Sequence, residues 1–548
     1  MRFHLPVVNF LRTRPLLSLH LLIWGLFFTI VWSHQFIPSP AGIAAGSLGS
    51  WSDGAAHLTY ATNIAYHSRF PQFLPIFYDH PFTYSFAADL LTALLVRSGV
   101  NLFTAYTGLG LLLSLSFVYL LYRFYQLFLN SSTGAIVASW LFLLSGGLGF
   151  IWFFQDAARS GLLSTLLRPP HEYTHIAEVA LEWINPITSE LIPQRAFLLG
   201  LPIGLIILTY LWKLTTKPKN IQPSYTLAAA ILLGFMPIIH PHTFIVLCFV
   251  TAFILFRTII LKPQNRFSLK PLLTLITISS IISLPLIITF ILPAAGSGFI
   301  RFYPGWLAQT KDINWLWFWL LNWGAFPLIV FLGTFFLGSS QRRFLVPFIF
   351  IFIASNLFLF QPFDWDNSKL LTWVYLVLSA PAAVTITTLF DRRVGNRFLA
   401  VALFVILTFS GSLDASGLLN PLRAPLPMYT KEELNLASWV NANTAPDSLF
   451  LTSDRHSHPV PNLTGRNILM GYRGWLWTYG IDYRDREKQV ADIYSGSDTG
   501  LSLALYYGIN YVVVGPSELE QFRPNLAFFR HSTKLVYQSP HYSIFQLH

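Results

Sequence analysis

Long apolar runs separated by short polar segments fill the chain up to about residue 412. Most of them approach the length of about 20 residues that a helix needs to cross the hydrocarbon core of a bilayer. The pattern predicts eleven membrane-spanning helices, near residues 16–36, 101–122, 133–154, 195–213, 225–239, 243–261, 270–293, 315–337, 344–361, 369–390 and 396–412. An odd number of spans places the two termini on opposite sides of the membrane.

The polar segment after the first span, residues 37–100, is long enough to hold structure of its own. Its amphipathic run at 84–97 is short and contains Asp89 and Arg97, so we expect this run to lie in the membrane interface rather than to cross the bilayer. No small-x-small cleavage site follows the first apolar run. The first span is therefore expected to be an uncleaved helix with a cytoplasmic N-terminus.

From about residue 413 the hydropathy falls, and residues 413–548 are typical of a small α/β domain outside the membrane, following a transmembrane domain at 1–412. Thr430 followed by Glu432 and Glu433 predicts the start of a helix over 430–441. A helical stretch is expected near 485–507. Alternating apolar residues predict strands at Ser448–Thr452, Tyr511–Val514, Lys534–Tyr537 and Ser543–Gln546.

Composition and charge agree with a polytopic membrane protein: 54% of the residues are hydrophobic and the mean hydropathy is +0.53. The net charge of +11 would suggest nucleic acid as a partner of a soluble protein. In this chain, however, sixteen basic residues and a single acid, Asp391, fall on the predicted cytoplasmic side, against eight basic residues and eleven acids in the opposite loops. This is the positive-inside distribution, so the basic excess indicates orientation in the bilayer and not nucleic-acid binding.

One acidic residue in the first outer loop stands among aromatic and small residues, in Trp51-Ser52-Asp53-Gly54. If this segment is helical, Asp53 and His57 share a face, and the carboxylate could act as a general base on an incoming hydroxyl. The structural alternative is that Asp53 only caps an interfacial helix while His57 faces water. Trp51 would either stack on a sugar or anchor the loop in the interface.

Other polar residues that are costly near a bilayer gather on the same predicted side. Those adjoining spans rank first as functional candidates, because a charged group at membrane depth costs about 2.5 kcal/mol or more if it faces lipid. Arg195, Lys369 and Asp156 adjoin spans and rank first. The other candidates on this side are Gln194, His240, His242, Arg301 and Asp366. We expect Asp53, Asp156, Arg195 and Lys369 to line one outer cavity.

A metal site is one further interpretation of the histidines. By ligand type, His171, His175, His240 and His242 suit zinc or manganese, but their spacing matches no strong metal signature. His240-Pro241-His242 is equally consistent with a turn fixed by proline. No Walker loop, dinucleotide-binding glycine motif or GxSxG motif occurs, so nucleotide-driven transport and serine hydrolysis lack support.

The order of these features resembles glycosyltransferases of the GT-C superfamily, such as protein mannosyltransferases and lipid A aminoarabinose transferases. The residues that carry this resemblance are Trp51-Ser52-Asp53 and Asp156 after the third span. Three further stretches also look like a group of GT-C-like bacterial and archaeal membrane proteins: Ile192-Pro193-Gln194-Arg195, Asp364–Lys369, and the tail with Gly465-Arg466, Gly471-Tyr472-Arg473-Gly474-Trp475 and Tyr506-Tyr507-Gly508. The resemblance implies an all-α membrane domain with interfacial helices in the first outer loop, a polyprenyl-phosphate sugar donor, and a bacterial plasma membrane.

The resemblance further implies that Asp53 is the catalytic carboxylate and Asp156 a second acid. Arg195 and Lys369, with Arg301 behind them, would bind the departing lipid phosphate, and Trp51, His57, Gln194, His240, His242 and Asp366 would line the substrate cavity. It implies no certain cofactor and leaves a divalent metal, Mn²⁺ or Mg²⁺, open. The acceptor would be a glycan, lipid or protein hydroxyl. Two alternatives remain at this point: a carrier of lipid-linked glycans without chemistry, and a non-catalytic assembly subunit.

Overall fold

The structure is a computed structural model that describes residues 14–261, 269–294, 300–420 and 424–547. In chain order its α-helices are α1 Pro15–Ser33, α2 Leu48–Trp51, α3 Asp53–Tyr66, α4 Ala87–Arg97, α5 Leu102–Leu129, α6 Ser132–Leu143, α7 Phe150–Ser160, α8 Leu162–Leu167, α9 Arg195–Thr216, α10 Pro223–Ile239, α11 Pro241–Phe256, α12 Leu269–Phe290, α13 Leu307–Thr310, α14 Trp315–Trp323, α15 Phe326–Thr334, α16 Ser339–Leu357, α17 Ser368–Phe390, α18 Val394–Gly417, α19 Lys431–Asn443, α20 Pro459–Thr464, α21 Arg473–Thr478, α22 Arg484–Ser495, α23 Asp498–Tyr507, α24 Pro516–Gln521 and α25 Leu526–Ser532. Its strands are β1 Phe36–Ser39, β2 Gly42–Ala45, β3 Phe73–Leu74, β4 Phe77–Pro81, β5 Arg301–Phe302, β6 Phe358–Leu359, β7 Leu426–Thr430, β8 Leu449–Leu451, β9 Asn467–Ile468, β10 Tyr511–Val514, β11 Lys534–Gln538 and β12 Ser543–Gln546.

The chain folds into two compact units. The first comprises the described residues of Met1–Ser33, Gly110–Leu286 and Gly298–Ala424. The second comprises those of His34–Leu109, Ile287–Ser297 and Pro425–His548, so the first loop and the C-terminal segment belong to one unit.

Within the described residues, seven helices are long and apolar enough to cross a membrane, which confirms a helical polytopic membrane protein. They are Pro15–Ser33, Leu102–Leu129, Arg195–Thr216, Pro241–Ile260, Leu269–Phe290, Asp364–Phe390 and Val394–Gly417. Counting α14 and α15 as one broken span, bent by 84°, gives eight. The predicted count of eleven is therefore not reproduced. Of the sixteen basic residues behind the predicted orientation, Arg2, Arg12, Lys262 and Arg266 lie outside the described residues.

Helix α17 is the most enclosed of these spans, with 83% of its apolar window buried. It packs against α6, α15, α16 and α18 and so forms the centre of the first unit. Near it, the predicted third span, 133–154, ends early at Leu143 and resumes as α7. Glycines make this break, because a Cβ at Gly147 would lie 2.0 Å from the Leu321 carbonyl oxygen and one at Gly149 only 1.6 Å from that of Tyr173.

In the second unit, the first outer loop packs together with the C-terminal segment of the chain. Strands β1 and β2 form an antiparallel hairpin, and β7 pairs antiparallel with β2. Helix α3 packs against α20. The Thr59 hydroxyl donates to Asn462 at 2.9 Å, and the Asn63 amide donates to the Gly465 carbonyl at 2.7 Å. The first outer loop is therefore completed by residues beyond 425.

The C-terminal part contains a five-stranded sheet in the order β11-β12-β10-β8-β9, which confirms the predicted α/β content. β10 is parallel to β8 and antiparallel to β12. Helix α19 begins at a capping box, in which Thr430 and Glu433 exchange hydrogen bonds with each other's backbone N–H. Its buried residues Leu436 and Val440 share a core with Phe450, Val513 and Ile544 of the sheet.

A fully buried carboxylate ties helix α24 to this sheet. Glu518 accepts hydrogen bonds from the backbone N–H of Ser453 at 2.8 Å and of Gly515 at 2.9 Å, and its carboxylate lies 3.1 Å from His458 Nε2. Burial alone would raise the pKa of this carboxyl group, but the hydrogen bond and charge of His458, with the bond from Ser453, lower it to about 2.

We expect Glu518→Gln to destabilise the sheet by on the order of 3 kcal/mol near neutral pH, because a lowered pKa stabilises the fold at every pH above the unfolded value of 4.5. The difference from wild type should shrink as the pH falls from 4.5 towards 2. Hydrogen exchange of strand β10, compared between variant and wild type at each pH, measures it. Glu520→Gln, at an exposed position of the same helix, is the control and should leave the exchange unchanged.

Candidate functional site

Asp53 is the first residue of α3, and Ser52 precedes it as the N-cap. The expectation that Asp53 is the N-cap residue is therefore wrong. The turn out of α2 places Ser52 at the N-cap position, and Asp53 follows it. A carboxylate in the first turn is favoured by the unpaired N–H groups at a helix N-terminus. Asp53 is half-buried.

His57 lies one turn further along α3 and does not face water, contrary to the structural alternative. It is 3% exposed, and its Nδ1 lies 3.0 and 3.1 Å from the two carboxylate oxygens of Asp89, which is itself 1% exposed. Asp89 belongs to α4, the amphipathic run, which forms an 11-residue helix and is not among the candidate spans. Sequence reasoning missed this pairing, since nothing in the local pattern joins positions 32 residues apart.

Three tyrosines form an aromatic cluster beside these acids. Tyr60 stacks on Tyr84 at 4.2 Å between ring centroids, and the Tyr60 hydroxyl donates to that of Tyr479 at 3.3 Å. Burial, and after it neighbouring tyrosines and the charges of Asp89 and Asp53, raises the pKa of Tyr84. Burial and the same two carboxylates raise the pKa of Tyr479. Both phenols thus stay neutral within electrostatic range of Asp53, and they can form hydrogen bonds but not act as bases.

Trp51 is tied to the C-terminal segment. Its indole Nε1 donates to the Pro427 carbonyl at 3.0 Å, and its ring lies 4.0 Å from that of His456. Burial, and secondly the charge of Arg455, lowers the pKa of His456 to about 4, so this imidazole is neutral at physiological pH. These contacts hold the segment that leads into Asp53.

In the first unit, Arg195 is the first residue of α9 and is fully buried. Its guanidinium lies 5.9 Å from the Trp32 ring centroid, within cation–π range. Gln194 precedes it as the N-cap residue and is half-buried. The predicted position of Arg195 at the start of a span is therefore confirmed.

His240 and His242 lie at the start of α11, and both are buried. His240 caps this helix, because its Nδ1 accepts from the Thr243 backbone N–H at 3.3 Å and lies 2.8 Å from the Thr243 hydroxyl. Its ring stacks on Phe197 of α9 at 4.4 Å. His240 therefore lies in the turn that precedes α11, as the turn interpretation of His240-Pro241-His242 expects, and Pro241 begins the helix.

Lys369, near the start of α17, forms an ion pair of 2.9 Å with Asp366, and both side chains are nearly buried. The charge of Lys369 acts on both His240 and His242. The start of α11 thus lies in electrostatic range of Lys369 and in contact with α9, the helix that Arg195 begins.

Asp156 and Arg301 have different surroundings. Asp156 accepts a hydrogen bond from the Tyr173 hydroxyl at 3.2 Å, and it lies 3.3 Å from His171 Nε2 and 3.9 Å from Arg159. Arg301 is exposed, with one nitrogen 3.4 Å from the Pro362 carbonyl oxygen.

Among the described residues, no group of three or more His, Cys, Asp or Glu side chains could hold a metal ion. Asp364 accepts from the Thr310 hydroxyl at 3.0 Å, whereas Asp366 pairs with Lys369. The described residues therefore offer no set of ligands that fits a divalent metal.

No family model matches the chain, and no curated protein matches it by sequence. Among solved structures, the chain is similar to ArnT from Cupriavidus metallidurans bound to undecaprenyl phosphate, with 10% identity, a TM-score of 0.49, and coverage of 97% of this chain and 98% of that one. It is also similar to the oligosaccharyltransferase AglB from Archaeoglobus fulgidus in complex with an inhibitory peptide and a dolichol-phosphate, with 13% identity, a TM-score of 0.45, and coverage of 97% and 74%. At these TM-scores the likenesses are partial.

Proposed function

We propose that this chain is an inverting membrane glycosyltransferase. It moves a sugar from a polyprenyl-phosphate donor to an acceptor hydroxyl on the non-cytoplasmic face, with Asp53 as general base. The observation that carries the proposal is the half-buried Asp53 carboxylate at the start of α3, set beside neutral phenols and one turn before a buried His–Asp pair.

Exposure supports Asp53 as the base in preference to Asp89. A general base must come within hydrogen-bond reach of the proton that it removes. Asp89 is 1% exposed and both of its oxygens lie against His57, so an acceptor has no access to it. Asp53 is less buried than Asp89, at an intermediate exposure.

In the proposed step, the acceptor O–H gives its proton to the Asp53 carboxylate while its oxygen bonds to the anomeric carbon from the face opposite the leaving group. The bond between that carbon and the phosphate oxygen breaks, and the electron pair stays on the lipid phosphate. Because charge grows on this phosphate, a pre-placed cation lowers the barrier. Arg195 and Lys369 are the proposed cations, since a buried charge beside a membrane span needs a functional reason.

The remaining roles follow the same proposal. Asp156 is the second acid, held by His171 and Tyr173. Trp51, His57, Gln194, His240, His242 and Asp366 shape the substrate cavity. Exposed Arg301 assists with the donor phosphate from outside the buried cations. We place the protein in a bacterial plasma membrane, with a cytoplasmic N-terminus and residues 413–548 as a non-cytoplasmic domain.

A turnover assay tests this function. Full-length protein in lipid nanodiscs, supplied with membrane extract as acceptor and with undecaprenyl-phosphate glucose, mannose or aminoarabinose, should release undecaprenyl phosphate from at least one donor. The released lipid is measured by mass spectrometry. The carrier alternative is tested in sealed vesicles: movement of intact donor across the bilayer without cleavage of the sugar–phosphate bond would contradict the enzyme proposal.

A further inference from the structure

Helix α8, a short helix of the first unit, exposes its apolar side chains. Of its six residues only Thr165 is buried. Its four leucines, at positions 162, 163, 166 and 167, are between 39% and 70% exposed. Exposed apolar side chains that are grouped in this way mark a surface that meets a lipid phase or a partner.

The neighbours of α8 place it at one end of a membrane-spanning helix. The Leu167 carbonyl accepts a hydrogen bond from the Asn420 side-chain amide at 2.6 Å. Asn420 follows α18, a candidate span of 24 residues that ends at Gly417. Because about 20 residues suffice to cross the hydrocarbon core, the end of α18, and α8 with it, falls near the boundary between lipid and water.

Helix α7 leads to this position along the side of the same span. Its Phe154 ring stacks on Phe409 of α18, with 5.8 Å between the ring centroids and 13° between the ring planes. Gly161, at a φ of +85°, separates α7 from α8, and only glycine adopts this backbone conformation readily. The chain therefore runs along α18 and then turns into α8 near the end of that span.

Two arginines flank α8. Arg159 lies in the last turn of α7, Arg168 is the C-cap residue of α8, and both are exposed. No acidic residue occurs between positions 157 and 170, so these two arginines give the segment a charge of +2. Arg159 lies 3.9 Å from Asp156, too far for a hydrogen bond, so a phosphate can compete for its guanidinium. Exposed leucines between two cations match a lipid surface with negative headgroups.

We propose that α8 is an interfacial anchor. Its leucines enter the lipid leaflet at the C-terminal end of α18, while Arg159 and Arg168 bind the phosphates of anionic phospholipids in that leaflet. Interfacial helices insert an apolar side into the boundary between headgroups and acyl chains and hold basic residues beside it. The anchor is independent of the sugar transfer proposed above, because neither arginine has a part in that step.

Insertion is tested with the full chain in nanodiscs. In a Cys248→Ser background, Leu166→Cys is labelled with the fluorophore NBD, and the lipids carry a doxyl quencher close to the headgroup. The quencher should roughly halve the NBD emission, because the apolar side of an interfacial helix lies about 5–10 Å into this boundary. Leu519→Cys is the matched control, since Leu519 is as exposed as Leu166, at 45%, but belongs to α24. Its NBD emission should stay unchanged.

Lipid preference is tested with the same label at position 166. The nanodiscs contain one fixed mixture of phosphatidylglycerol and phosphatidylcholine, and the doxyl group is placed on either lipid in turn. Phosphatidylglycerol should be enriched about 5-fold around the label, since each arginine near an anionic surface contributes a factor of about that size. Arg159→Gln combined with Arg168→Gln should abolish the enrichment. Arg484→Gln, at a side chain that is as exposed as that of Arg159, should retain it.

Unquenched NBD at position 166 would overturn the anchor, and a cross-link between two copies through the same cysteine would then identify a second copy as the cover of α8. Equal quenching by the two lipids before the arginines are replaced would overturn their role. If Leu166→Cys fails to fold, Leu163→Cys, the more exposed position of the same helix, supplies the measurement. None of these measurements needs a sugar donor, so the anchor and the glycosyltransferase assignment stand or fall separately.

Discussion

Replacement of Asp53 by asparagine should lower turnover about 100- to 10,000-fold, the contribution that a positioned general base makes to a rate. The amide has nearly the shape of the carboxylate but cannot take the acceptor's proton. Helix α3 should still form, because its residues 54–65 are all buried and tertiary packing supplies most of the stability of a helix. Binding of undecaprenyl phosphate should therefore stay within a few fold of the wild type, so that the loss appears in kcat.

Asp79→Asn is the matched control, because Asp79 is an exposed carboxylate in the same outer loop. It should leave turnover unchanged. An Asp53→Asn variant that transfers sugar at the wild-type rate would remove the basis of the enzyme proposal. A variant that loses lipid binding and turnover together would instead point to a role for Asp53 in binding the donor.

Arg195→Gln should lower kcat/KM by about 100-fold or more, the usual effect of removing one donor that stabilises transition-state charge. The same change should weaken undecaprenyl phosphate binding by about 10- to 100-fold, since hydrogen bonds to charged groups contribute about 1.5–3 kcal/mol. Arg195→Lys should recover part of both losses, because it keeps the charge but loses the planar guanidinium.

Lys213→Gln serves as the control for this position. Lys213 lies on the same helix, in its last turn, and its side chain is exposed. It should change neither turnover nor lipid binding. Arg195 is fully buried, so its replacement can disturb the fold. The comparison therefore uses only variants whose helical content and thermal unfolding match those of the wild type. A folded Arg195→Gln variant with unchanged lipid affinity would assign the donor phosphate to other residues.

Features determined by neighbouring residues were predictable. The strand at Tyr511–Val514 and the strand at Ser543–Gln546 have the predicted bounds. The helix expected from Thr430 and the two glutamates after it begins at Lys431. In each case the deciding interactions are local: alternation of apolar side chains for a strand, and a capping side chain for a helix.

Breaks within apolar segments were not predictable. The expected span at 315–337 consists of α14 and α15, which meet at an angle of 84° after Gly324. The expected span at 133–154 is interrupted where Gly147 and Gly149 pass close to distant carbonyl groups. Hydropathy averages over such a segment, so it cannot distinguish a straight helix from two short ones joined at glycines that other parts of the chain approach.

In the candidate site, too, the features set by nearby residues were predictable and the contacts between distant residues were not. The spacing of Asp53 and His57 placed both on one helix, and the structure has that helix. Asp89 entered the sequence reasoning only as a charge that argued against a membrane span, whereas it is the partner of His57. Tyr479 was overlooked entirely, because its contact with Tyr60 joins residues 419 positions apart.

Strand β7 has a consequence for biosynthesis. Its pairing partner, β2, is made near residue 45, but β7 itself begins only at Leu426. At ordinary elongation rates of about 5–20 residues per second, β7 is synthesised tens of seconds after β2. During that time the edge of β2 that later pairs with β7 has no partner strand. A nascent chain stalled before residue 426 should therefore recruit a chaperone or a protease to that edge, and release of the finished polypeptide should end the interaction.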